Sequence, residues 1–533
     1  MEREVIDKRV EGIKQIVLDY VELKDCFLKP PEVKLVLASQ STEEKSIRTR
    51  DVVVTTAVQC YAPGVAQLKE RADEKLEFIA ENTLAAGHHT TRMHSYFTWQ
   101  IVGATRSIVH DVFHASPFYN SEQQSQRYVE AKQGNYLIPA ILSESQKSFY
   151  EEAASFSNEK YFELLEKLTP EVEKRMRMMY PGSGWKVKTT AERLNSKTRK
   201  ICQEIARYVL PIGQLTTFYH TLSELQLLRL FRASQMRHFS GEARFIIGSM
   251  VLEAANYDAT LWKELELPLG KQTEQPVTEL FIKRNKKEFD HLLDENVSLL
   301  LNPAGVDKNT LATAAKNISG ASLESLLDPS VNRLLADVYE TGMMDPLTSS
   351  LRQMSLTFAT KLSHTADSQR QRQRRTPGAT PSIEALYDGT PDYITPLVIN
   401  ENPDLKAFYD QVMTKIFANV ENAVKEGIPK EYALLLLPNA LSVRLVESGD
   451  LFDWLHRWKQ RLCFLAQEEI CFISVEQVEQ IGKLLPESEN MLLAPCGIRK
   501  LTGVKPRCPE GERWCGQPVF NWQIEKYKEH RLI

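Results

Sequence analysis

Apolar and polar residues along the chain predict a mixture of strands and helices that do not strictly alternate. Val33-Lys34-Leu35-Val36-Leu37 has the alternating, β-branched character of a half-buried strand. Residues 68–85 carry apolar positions at helical spacing and stop near Gly87, a natural C-terminal breaker. Residues 214–236 and 441–470, rich in Leu, Arg, Gln and Trp, are expected to be helical. Thr376–Pro391, with its Pro, Gly and Thr, is expected to be an irregular loop. This arrangement fits an α+β fold better than a doubly wound sheet.

The pattern also repeats. Thr105-Arg106 recurs as Ser363-His364, and Asn135-Tyr136-Leu137-Ile138-Pro139 as Asp392-Tyr393-Ile394-Thr395-Pro396. Further on, Ala206-Arg207 with Leu210-Pro211 recurs as Ala433-Leu434 with Leu437-Pro438. The landmarks keep their order, and their interval shortens because the first copy carries about thirty extra residues near 168–197. The expected organisation is an N-terminal helix at 1–29, a first repeat at 30–275, a second at 290–490, and a tail at 491–533 that contains cysteines. A chain of 533 residues is also too long for one core.

Composition narrows the function classes. A net charge of −4 gives no global attraction to nucleic acid or anionic membrane, so any anion site must come from a local Arg or Lys cluster. No apolar run approaches the roughly 20 residues that span a bilayer. The opening Met-Glu-Arg-Glu-Val begins a charged amphipathic run, and the eight cysteines are too dispersed for a disulfide scaffold, so a cytoplasmic protein is expected. Neither a nucleic-acid partner nor a membrane partner is expected.

Four segments carry chemistry. Gly87-His88-His89-Thr90-Thr91-Arg92-Met93-His94 runs into Ser95-Tyr96-Phe97-Thr98-Trp99. Ser121 to Tyr128 places a hydroxyl and a forked guanidinium two residues apart, at Ser125 and Arg127, a pair suited to phosphate or uracil oxygens. Residues 369–374 read Gln-Arg-Gln-Arg-Gln-Arg, and Arg461-Leu462 precedes Ala466-Gln467-Glu468-Glu469-Ile470. On these motifs the chain resembles the flavin-dependent thymidylate synthases, the ThyX family. Three positions depart from the family pattern: Met93 stands where the family has Glu, Gln373 replaces the central His of its Arg-His-Arg triplet, and Phe113-His114-Ala115 replaces that triplet in the first copy.

The resemblance implies two degenerate copies of the flavin-dependent thymidylate synthase domain packed as a pseudo-dimer. The first copy keeps the Ser-x-Arg-Tyr segment and Arg207, and the second keeps the Gln/Arg run and Arg461. The implied reaction is FAD-dependent reductive methylation of dUMP to dTMP, with methylenetetrahydrofolate and NADPH as co-substrates. It implies dUMP contacts from Gln123, Ser125, Arg127, Arg207, Gln369 and Arg372, and FAD contacts from His88, Thr90, Arg372, Arg374 and His456. Arg461 is implied as the group that activates the uracil ring, and a homodimer of such chains as the assembly. Two other readings are a related flavin enzyme acting on another pyrimidine and a non-catalytic nucleotide-binding homologue. In the tail, Cys496, Cys508 and Cys515, with His530 or Cys471, form a weak zinc candidate. Cys60 and Cys202 are expected to be small core residues.

Overall fold

The computed structural model describes residues 2–40, 47, 49–59, 62–66, 78, 82–84, 86–180, 188–236, 239–269 and 278–533. Strands β1 (Glu32–Ala38), β2 (Tyr96–Thr105), β3 (Asn120–Gln123) and β4 (Leu215–Ser223) form one antiparallel sheet ordered β1-β2-β4-β3. Strands β5 (Ser298–Leu300), β6 (Ser355–Ser363), β7 (Gly378–Ala379) and β8 (Ser442–Asp450) form a second, ordered β5-β6-β8-β7. The two orders are the same, so the repeat seen in the landmarks is a repeat of topology. The helices used below are α1 (Glu2–Glu22), α2 (Glu144–Met179), α3 (Lys188–Ala206), α4 (Glu224–Ala233), α5 (Gly241–Tyr257), α6 (His364–Arg370), α7 (Pro403–Lys425), α8 (Leu451–Arg461) and α9 (Glu468–Leu484).

Side-chain alternation explains the strands. Along β2, Phe97, Trp99 and Ile101 are buried while Tyr96 and Val102 face outward, the period of two that a one-sided sheet demands. Gly103 holds φ +82 where the β2–β4 register slips, a bulge conformation that side chains rarely adopt. Strand β1 and the α+β class agree with the sequence reading.

The two long helical expectations need correction. Residues 215–223 and 442–450 are central strands, and helix begins only at Glu224 and Leu451. Leu-Thr-Thr-Phe-Tyr-His-Thr-Leu-Ser is rich in β-branched and aromatic residues that alternate in burial, and it should have been separated from the Leu/Arg-rich α4. Most of 68–85 lies outside the described residues, as does Cys60; Gly87 has φ +83, as a helix stop requires. The segment 376–391 is largely irregular but includes the short β7. The extra residues of the first copy extend α2 and α3, whereas the second copy has the shorter α7.

The repeats meet where their landmarks do. Ile212 N donates to Leu437 O at 2.8 Å and Gly213 N to Leu435 O at 2.8 Å. Asn439 N donates to Leu210 O at 2.8 Å and Ala440 N to Tyr208 O at 2.9 Å, and Pro211 lies opposite Pro438. One apolar cluster holds side chains from both repeats, among them Leu210, Ile212, Leu362 and Leu437. A second joins Phe358, Trp454 and Trp458 to Met491 and Tyr527 of the tail. Helix α1 seals the first repeat with Ile13 and Val17. Arg92, within the histidine-rich segment, is fully buried and pairs with buried Glu264 at 2.7 Å, which makes it a structural residue. Among the described residues no helix is long and apolar enough to cross a membrane.

Candidate functional site

A cleft of about 800 Å³ opens between the repeats and the tail. Its wall takes Arg127, Glu204 and Tyr208 from the first repeat and His456, Arg461 and Gln467 from the second. Arg127 and Arg461, which lie in separate repeats, therefore face one space.

Local structure places each of them. Ser125 Oγ accepts the Arg127 N–H at 3.2 Å, and Ser125 O accepts from Tyr128 N and Val129 N. This tight turn aims the Arg127 fork inward. There it pairs with Glu204 and donates to Leu465 O at 2.6 Å in the other repeat. Arg461 ends α8, whose N-terminus is capped by Asp450 accepting the Asp453 N–H at 2.9 Å. Its Nη2 donates to Gln369 O at 2.5 Å.

Behind the wall lies a buried polar knot. Gln467 Oε1 accepts from both Arg207 Nη2 and Gln369 Nε2, and Gln467 Nε2 donates to the Tyr208 hydroxyl. Tyr208 in turn donates to Glu469, whose carboxylate also receives Ser363 N and Oγ, each at 2.6 Å. In the first repeat, Glu242 receives Thr105 N at 2.7 Å and Thr105 Oγ1 at 2.6 Å in the same way. Arg207 and Gln369 thus reach the cleft through Gln467.

Charge is concentrated here. Burial, reinforced by Arg457, Arg127 and Arg372, pushes Arg461 down to about 9. Burial and neighbouring Arg207 do the same to Arg106, also to about 9. Both remain protonated at neutral pH, so the crowding is of cations. The Nε atoms of Arg207 and Arg461 are buried without a hydrogen-bond partner. Buried donors left unpaired are costly, and a ligand oxygen would satisfy them. Carboxylates offset part of this charge: Glu204, Asp337, Glu340, Glu510 and Glu512 line the same cleft, and burial pushes Glu468 up to about 7.

The remaining expected residues are spread out. Arg372 holds Ser121 O at 2.7 Å and Glu122 at 3.0 Å, while Arg374 reaches Asn120 at 3.1 Å and lies 5.2 Å over the Tyr119 ring. Gln123, the last residue of β3, is partly exposed. His456 pairs with Glu340 at 2.6 Å on the cleft rim. His88 and Thr90 sit on an exposed turn outside the cleft. Among the described residues the thiols of Cys496, Cys508 and Cys515 do not gather into a ligand set with atoms within 4.8 Å, and His530 stacks on Trp522. Cys202 is buried, as expected.

Sequence reasoning missed Glu204, Tyr208 and Glu340 as site residues, and it quoted Gln467 only as part of a motif. Glu204 was accessible, because it precedes Arg207 by one helical turn and shares its face. Glu340 was not, because it comes from an irregular segment remote in sequence from α8.

The geometry defines a class: a duplicated α+β protein whose halves together line one cleft in which cations outnumber carboxylates. The model of the family described as thymidylate synthase complementing protein matches residues 43–256 and again 303–487. The chain belongs to that family, in a tandem-duplicated form. It is 29% identical over 217 residues to the flavin-dependent thymidylate synthase of Clostridium tetani, covering 40% of this chain and 80% of that protein. It is 28% identical over 148 residues to that of Thermococcus onnurineus, covering 26% of this chain and just over half (56%) of the relative. Among solved structures, a UMP/dUMP methylase from Streptomyces cacaoi bound with 5-Br dUMP superposes with a TM-score of 0.30 at 18% identity, over 44% of this chain and 93% of that one.

Proposed function

We propose that the chain is an FAD-dependent thymidylate synthase that methylates dUMP to dTMP, using methylenetetrahydrofolate and NADPH, in one composite site between repeats packed as a pseudo-dimer. The observation that carries this is the convergence of Arg127 and Arg461 on one cleft, backed by the unpaired Nε donor of Arg461. An anionic nucleotide is the kind of ligand that such a field selects.

Within this reading Arg127 exchanges Glu204 for the nucleotide phosphate, and Ser125 fixes its approach. Arg207 and Gln369 back the wall through Gln467, and Gln123 and Arg372 extend the contacts along β3. Arg461 stabilises negative charge on the uracil ring, making carbon 5 nucleophilic; a guanidinium suits this because it stays protonated. Bound FAD would supply the hydride that completes the methyl group. Cys463 lines the cleft, but burial pushes its thiol up to about 12, so it is no ready thiolate. That agrees with a route that needs no enzyme cysteine.

The donor set fits a flavin in part. Arg372 and Arg374 form a basic strip beside β3, and His456 stands at the rim. Exposed His88 and Thr90 would complete that set from a second chain, so the reading includes a homodimer. Rescue of a thymidine auxotroph tests the whole proposal. The wild-type chain should restore growth, and Arg127→Ala and Arg461→Ala should each abolish it. The purified protein should be yellow and bleach anaerobically with NADPH. A yellow protein without affinity for dUMP would point to another pyrimidine, and a colourless one that binds neither FAD nor dUMP would end the enzymatic reading.

A further inference from the structure

We infer that His110, Asp111 and His364 form a divalent-metal site where the repeats touch, with an open coordination position toward a second cavity. This site is separate from the nucleotide cleft and rests on different residues. The second cavity, of about 1120 Å³, is lined by His110 and Asp111 together with Glu242, Arg374, Glu431 and Leu434. It lies against the second copy's Leu434, where the first copy has Arg207, so it lacks that nucleotide-binding arginine.

Three observations carry the assignment. One donor atom from each of His110, Asp111 and His364 lies within 4.8 Å of the other two, the described cluster that meets this condition. His364 is 1% exposed, and neither ring nitrogen makes a hydrogen bond of normal geometry, although the Asn439 amide is near enough to bear on its charge. A buried imidazole without a well-formed hydrogen bond is uncommon in a settled core. Third, the surroundings are already arranged as a metal support. His110 Nε2 meets Asp367 at 2.5 Å, and Asp367 is held by Arg370. That fixes the imidazole so that Nδ1 points to Asp111, 2.7 Å away. A carboxylate gripping the far nitrogen of a ligating histidine is the usual support of such sites. His110 itself sits in a π-turn over Val109–Phe113, a local distortion that recurs at functional positions.

Two imidazoles and one carboxylate suit zinc or a neighbouring transition ion more than calcium or magnesium. The ion would replace the proton shared between His110 Nδ1 and Asp111 and release it to solvent. Three protein ligands leave the fourth position to water or another oxygen donor entering from the cavity.

The test uses the full-length protein, stripped with EDTA, dialysed against Zn²⁺ or Co²⁺, and assayed by plasma mass spectrometry and by Co²⁺ ligand-field absorption. The wild type should retain the metal stoichiometrically and show a tetrahedral Co²⁺ spectrum. His364→Ala and Asp111→Asn should lose it, and Asp367→Asn should weaken it about 10–100-fold. Asp111 is partly exposed, so its isosteric change is a fair test of binding with the fold intact, checked by circular dichroism. Cys496→Ser with Cys515→Ser should leave binding unchanged. No metal above background in the wild type, or equal retention in Asp111→Asn and His364→Ala, would overturn the site, as would loss of metal in the cysteine variant. None of these readouts involves flavin or nucleotide, so the outcome is independent of the proposed catalytic function.

Discussion

Gln467→Leu tests whether the two repeats are tied at the floor of the cleft. Leu has nearly the volume of Gln, so packing changes little, but three hydrogen bonds disappear. Gln467 is 2% exposed, Arg207 4% and Gln369 9%, so water cannot readily replace them. The change strands the Gln369 amide and leaves the Arg207 guanidinium, whose Nε is already unpaired, without its Gln467 acceptor. An orphaned buried polar group costs about 1–3 kcal/mol, and a charged one more. Tyr208 keeps Glu469 and adds little. The total is about 3 kcal/mol. At roughly 2–4 °C per kcal/mol for domains of 150–250 residues, and less for a longer chain, the melting midpoint should fall by about 4–8 °C. Differential scanning calorimetry reads this. Isothermal titration with dUMP should show weaker binding in the same variant, because Arg207 is no longer positioned. Gln467→Glu separates the two effects: it keeps an acceptor for Arg207 and so retains more stability, yet sets a carboxylate against an anionic ligand. A Gln467→Leu midpoint and dUMP affinity both equal to wild type would refute the reasoning.

The other predictions are independent of one another. Arg127→Ala and Arg461→Ala should each weaken dUMP binding about 10–100-fold, the value of one charge-assisted contact, and the double variant should fall short of the product if both hold one ligand. Glu264→Gln removes the carboxylate that pairs at 2.7 Å with the fully buried Arg92 and should cost about 1–3 kcal/mol in thermal or urea unfolding; stability equal to wild type would argue that the pair contributes nothing. Gly213→Ala puts a Cβ 2.8 Å from Leu435 Cβ and 2.9 Å from its carbonyl oxygen, so about 1–3 kcal/mol should be lost where the repeats cross. Burial alone would raise Glu340, but the His456 hydrogen bond and the charges of Lys459 and Arg375 hold it down to about 2. Its stabilisation is thus present above the unfolded carboxylate value, near pH 4.5, and is lost as pH falls toward 2. Wild type should lose on the order of 3 kcal/mol across that window, and Glu340→Gln should flatten this part of the acid limb.

The chain carried its duplication openly. The Leu210-Pro211 and Leu437-Pro438 landmarks were identified as equivalent from order and spacing, and they turned out to lie against each other. Short motifs could be matched because Ser125, Arg127 and Arg461 owe their placement to local turns and helix ends. Strands β4 and β8 were misread because each runs directly into a helix rich in Leu and Arg. No breaker marks the change, so a window centred on the helix swallows the strand.

Sequence alone determined that two equivalent modules exist and that they carry different cations, Arg127 and Arg207 in the first and Arg372, Arg374 and Arg461 in the second. Those are properties of local order and residue identity, which need no coordinates. Tertiary structure decided which atoms meet: that Glu204 occupies Arg127, that Gln467 ties Arg207 to Gln369, and that buried His364 faces His110. Such contacts depend on how the modules cross. Burial then fixes which donors find a partner and which remain open for a ligand, and no spacing along the chain encodes that.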